Sequence, residues 1–115
     1  MFTVQIVQHG TVFHEYAVTR DEQVVHTFRA DPKEAAAIGH IFNLVETCAQ
    51  REPHPFPFAI IHNPDQTAVL CGPKDENLSW GPVLSGPIGM LEALLPDLIK
   101  IFNATQMITT AYKLK

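Results

Sequence analysis

The chain has 115 residues, a net charge of −4 from 12 acidic against 8 basic residues, and 46% apolar against 17% charged residues. This length fits one domain, 1–115, and the composition excludes intrinsic disorder, which needs low hydrophobicity and high charge. Mild acidity and basic residues scattered from Arg20 to Lys115 argue against nucleic acid as a partner, and two cysteines are too few for a disulfide scaffold.

The first thirty residues read as three strands. Phe2, Val4 and Ile6 alternate with Thr3, Gln5 and Val7, and His9-Gly10 makes a turn. Val12, His14, Tyr16 and Val18 then line one face of a second strand starting near Thr11. Thr19-Arg20-Asp21-Glu22 turns the chain into a third strand bearing Val24, His26 and Phe28. Short polar loops between alternating runs predict an antiparallel meander.

Asp31-Pro32-Lys33-Glu34 signals a helix start, with Asp31 as cap, Pro32 at the first helical position and Glu34 closing a capping box. Ile38, Ile41, Phe42, Val45, Cys48 and Ala49 follow at helical spacing, and Pro53 sets an end near Arg51-Glu52. Pro53, Pro55 and Pro57 alternate, so their missing donors fall on one edge and the segment reads as a connector.

Phe58–Ile61 and Thr67–Cys71, joined by the turn residues Asn63-Pro64-Asp65-Gln66, predict a hairpin covered on both faces and central in the sheet. The stretch 72–87 then reads as a long irregular loop holding the single tryptophan, Trp80, with at most a short strand at Val83-Leu84. From Pro87 to Phe102 a broad apolar sector persists across Pro96, which predicts one helix kinked there. Thr105–Lys115 reads as a final strand, with Ile108, Tyr112 and Leu114 on one side. The expected fold is α+β: meander, hairpin and terminal strand in a mainly antiparallel sheet, with two helices on one face. Its element order is similar to that of several α+β scaffolds, profilin-like ones among them, and order alone implies no function.

No run approaches the ~18 apolar residues of a membrane span. The N-terminus lacks the basic start and small-residue cleavage pattern of a signal peptide, so the expectation is a cytoplasmic protein with no membrane partner.

Candidate chemistry is sparse. His14 and His26 fall on the more apolar faces of adjacent strands, and side by side they would need a further donor such as Cys48 to hold a metal. Neither belongs to a recognised ligand spacing, so they read as half-buried imidazoles and no metal or cofactor is expected. His62 and Cys71 share a hairpin, but with Pro64-Asp65 at its tip they lie about 13 Å apart, too far for a catalytic pair. No nucleophile elbow or phosphate loop occurs.

The 72–87 loop therefore carries the functional expectation. It is long for an ordered loop, and tryptophan is enriched in binding hot spots. The sequence points to a non-catalytic interaction protein, regulatory or adaptor in kind, gripping a protein partner through Trp80, Leu78, Asp75 and Glu76. A Trp80 folded back over the core is the structural alternative. The functional alternative is a small-molecule pocket or minor enzyme site near His14, Tyr16 and His26. A mean hydropathy of +0.05 leaves little polar cover, which makes a homodimer the further expectation.

Overall fold

The computed structural model describes residues 1–51, 55–75, 77 and 79–113, with the side chains of the last helix described through Met107. The chain packs as two units, Met1–Asn43 and Leu44–Lys115, and a helix, α1 (Pro32–Ala49), runs through the boundary between them.

In the first unit, β1 (Thr3–Gln8), β2 (His14–Arg20) and β3 (Gln23–Ala30) form the expected antiparallel meander with β2 central. The second strand begins at His14 rather than Thr11, because the bend after Gly10 consumes residues 11–13. Asp21 and Glu22 have φ of 52° and 66° between the paired Arg20 and Gln23. Left-handed geometry at both central residues makes a two-residue primed turn, whose twist matches the strands it joins.

Rings fill the space between this meander and the start of α1. Phe2 and His26 each lie within 5.7 Å, centroid to centroid, of Phe42, which is fully buried. Asn43 clasps the N-terminal segment to the helix. Its Oδ1 accepts the Phe2 N–H at 2.8 Å, while its Nδ2 donates to the carbonyls of Phe2 at 3.2 Å and Gly39 at 3.3 Å. The Arg20 guanidinium lies 4.7 Å from the Phe2 ring centre, within cation–π range.

The helix start matches its sequence signature. The Glu34 N–H donates to Asp31 Oδ1 at 2.8 Å, and the Asp31 N–H reaches Glu34 Oε1 at 3.5 Å. The Glu34 N–H holds the Asp31 carboxyl below its ordinary value of 3.8, while burial pushes Glu34 up from 4.5. A depressed carboxyl stabilises the fold above its unfolded value, and that contribution is lost as pH falls through the lower folded value. Glu34 acts in the opposite sense: its contribution is present below 4.5 and is lost as pH rises through its higher folded value. Asp31→Asn retains a capping oxygen but cannot titrate. Thermal unfolding followed from about pH 5 to pH 2 should therefore show a shallower acid limb for Asp31→Asn than for wild type.

The second unit holds the end of α1, a second antiparallel sheet of β4 (Ala59–His62), β5 (Thr67–Pro73) and β6 (Trp80–Pro87), and α2 (Ile88–Lys113). The strand β5 is central, with Ala68, Leu70 and Cys71 buried. The helix α2 lies on this sheet and buries Leu91, Leu94, Leu98, Ile101 and Phe102. Asp65 makes the turn before β5 by accepting the backbone N–H and the hydroxyl of Thr67, and these bonds lower its carboxyl below 3.8.

The protein is thus an α+β fold of two antiparallel three-stranded sheets and two helices. Four expectations need correction. The strands divide into two sheets instead of joining one. The predicted terminal strand at 105–115 is helix through Lys113, while Leu114 and Lys115 lie outside the described residues. Neither Gly nor Pro follows Pro96, so nothing stops the helix, and Asn103 is only a weak breaker. The predicted hairpin has one covered strand, β5, whereas β4 is a sheet edge with Ile61 53% exposed. Finally, much of the predicted 72–87 loop is strand, and among the described residues only 74, 75, 77 and 79 of that stretch lie outside strands. The end of α1 agrees with its expectation at Ala49, and Glu52, Pro53 and His54 fall outside the described residues.

Candidate functional site

The turn between β5 and β6 is shaped by one carboxylate. Asp75 Oδ1 accepts the backbone N–H groups of Asn77 at 3.0 Å and Ser79 at 3.3 Å, and the Lys74 N–H donates to the Ser79 carbonyl at 2.8 Å. Aspartate suits this position because its short side chain can satisfy backbone donors two and more residues ahead. The turn delivers Trp80 to the first position of β6, opposite Pro73. Of the four residues expected to grip a partner, Trp80 and Asp75 are both exposed here, while Glu76 and Leu78 lie outside the described residues.

Trp80 does not fold back over the core. Its side chain is 59% exposed, yet its indole N–H donates to the Pro57 carbonyl at 3.0 Å. Pro57 sits between two anchored rings. Phe58 is buried against Gly72, and Phe56 packs edge-on to Phe102 at 5.6 Å and beside Phe58 at the same distance. The indole is therefore tied by its one donor to a segment that is itself seated in the core. What it leaves open is ring surface, which suits apolar or cationic groups. Sequence reading missed Pro57 as the tether, although the alternating prolines marked the segment as unusual.

The three residues of the alternative pocket lie in the other unit and do not converge. In the β2–β3 register, Tyr16 faces Phe28, Val18 faces His26, and His14 faces Ala30. His14 and His26 are therefore four residues apart along β2, about 13 Å, so the side-by-side placement that a shared metal would need is not formed. Instead the rings form a row: His9–His14, His14–Tyr16, Tyr16–Phe28, Phe28–His26 and His26–Phe42, with centroids 5.2 to 6.1 Å apart. His14 has a local structural role, since its Nδ1 accepts the Gly10 N–H at 3.0 Å. A groove of about 350 Å³ on the meander is lined by Val7, Glu15, Tyr16, Thr27, Phe28 and Arg29, and of the three residues it includes only Tyr16.

Among the described residues, no three His, Cys, Asp or Glu side chains lie close enough to hold a metal ion. Both cysteines are buried, and burial pushes the Cys48 thiol above its ordinary value. His62 faces Ala68, and Cys71 faces Ala59 at the far end of the hairpin. His62 instead meets Glu92 at 3.5 Å, an exposed contact between β4 and α2. No described helix is long and apolar enough to cross a membrane. No protein-family model, curated protein or solved structure matches the chain.

Proposed function

We propose that the protein is a non-catalytic interaction module, regulatory or adaptor in kind, that binds a protein partner through the β5–β6 turn with Trp80 as its anchor. The observation that carries this reading is an indole that is 59% exposed and tethered at its only donor. A ring already oriented loses little entropy on binding, so more of its contact energy becomes affinity. Asp75 beside it favours a partner presenting apolar and cationic groups rather than acidic ones. A cytoplasmic setting belongs to the same reading and is supported by a cysteine content of two, too low for a disulfide scaffold. Self-association belongs to it too, supported by exposed Ile6, Val7, Val12 and Phe13 in the first unit.

Trp80→Ala separates anchor from core cap. Chemical denaturation should shift by no more than about 1 kcal/mol, since an exposed ring and one hydrogen bond are lost. Affinity for a partner captured by the wild-type protein should fall by about 2 kcal/mol or more, roughly thirtyfold. Equal capture by both proteins, or a stability loss of about 3–5 kcal/mol, would overturn the proposal.

A further inference from the structure

Two three-stranded sheets present four edges: β1, β3, β4 and β6. Exposed edges offer unpaired N–H and C=O groups to any extended chain, and proteins blunt them with charge, proline, shortness or cover. Three of these edges carry such a device. The strand β6 contains Pro82 and Pro87, which have no N–H to donate. The strand β3 carries Arg29 and follows directly on Asp21-Glu22. The strand β4 is four residues long and ends at His62, which contacts Glu92.

The strand β1 is different. Its six residues, Thr3-Val4-Gln5-Ile6-Val7-Gln8, include no charge, no proline and no glycine, and four of them are β-branched. Five of the six are exposed, with Ile6 at 46% and Val7 at 64%. A register shift between Ile6 and Gln8 ends the regular stretch, leaving Thr3–Ile6 paired in step with β2.

We infer that β1 is a self-pairing edge, which takes the β1 strand of a second copy antiparallel about a two-fold axis at Gln5. A second copy fits better than a charged foreign strand because an uncharged segment meets itself without repulsion, even in a chain of net charge −4. The axis at Gln5 sets Val4 opposite Ile6 of the second copy and Thr3 opposite its Val7. Apolar side chains then meet apolar ones on the face where Val4 packs against Gly39 of α1. An axis at Ile6 would instead set Val4 against Gln8. The two meanders become one six-stranded sheet, and the two-fold closes the assembly at two copies. Such a short pairing makes a small interface of the weak class, so the dimer fills only at high concentration.

This deepens the self-association proposed above and is tested separately from it. Light scattering of the wild-type chain should rise from the 12.8 kDa monomer mass toward twice that value at high micromolar concentration. Gln5→Lys sets two ammonium groups directly opposite each other, and it should hold the monomer mass at every concentration with an unchanged circular dichroism spectrum. Gln5→Cys adds an exposed thiol to a chain whose own cysteines are buried, and under air it should form a disulfide-linked dimer much faster than Thr27→Cys on exposed β3. A wild-type monomer throughout would overturn self-association itself, and would fit an edge used by another protein's strand. A dimer that survives Gln5→Lys, or equal crosslinking of the two cysteine variants, would overturn this interface and leave self-association standing.

Discussion

Phe42→Ala is expected to lower stability by about 3–5 kcal/mol, the range for deleting a large aromatic from a packed core. Phe42 is fully buried and touches both Phe2 and His26, so its loss opens a void from which neither neighbour can readily move. Phe2 is held at its backbone by Asn43, and His26 is stacked on Phe28 at 5.9 Å. Phe42→Leu should cost less, because it retains most of the apolar volume. Urea unfolding followed by circular dichroism measures the loss, and Trp80 fluorescence reports the second unit in the same experiment. Because α1 runs through both units, the two signals should move together, as one cooperative domain requires. A fluorescence midpoint that stays in place while the dichroism midpoint falls would show two independently folding units.

Gly72→Ala is expected to be the most damaging single-methyl change in the second sheet, at about 1–3 kcal/mol or more. A Cβ at this position would lie 2.6 Å from Phe58 Cε1 and 2.9 Å from its Cγ, well inside van der Waals contact. Replacing glycine by alanine in an extended chain ordinarily gains about 0.4–1 kcal/mol through the unfolded state. The clash outweighs that gain because Phe58 is buried and packed beside Phe56, so its ring has little room to swing. The cause can be isolated by a double-mutant cycle: in a Phe58→Leu background, Gly72→Ala should become markedly less costly. The same strain should reach the candidate site, since Phe58 follows the Pro57 carbonyl that holds Trp80. Steady-state anisotropy of Trp80 should fall in Gly72→Ala. Unchanged anisotropy with unchanged stability would remove Gly72 and Phe58 as the base of the site.

Local signals were legible in the sequence wherever a residue acts on its own neighbours. The Asp31–Glu34 capping box, the turn around Asp65 and the three-strand meander all formed as their residue types require. The helical period over 32–49 likewise specified α1 and its buried stripe. Periodicity failed where two periods fit the same residues. Residues 105–113 alternate well enough for a strand, but a helix already propagating from Ile88 extends at the cost of one residue's entropy per hydrogen bond, with no new nucleus. Sequence also singled out Trp80 without saying whether it faces water or core. That depended on Pro57, 23 residues away, whose carbonyl fixes the indole in the exposed position. His14 and His26 were separated by the register: the two-residue turn at Asp21-Glu22 pairs Arg20 with Gln23, and a shift between Val18 and Thr19 then sets Val18 and Ala30, not a second imidazole, opposite the two histidines. Composition and spacing thus determined the meander, α1 and the turns, because those choices depend on local sterics and hydrogen bonds. Sheet division and the exposure of one aromatic ring were decided by contacts distant in sequence, which no local pattern encodes.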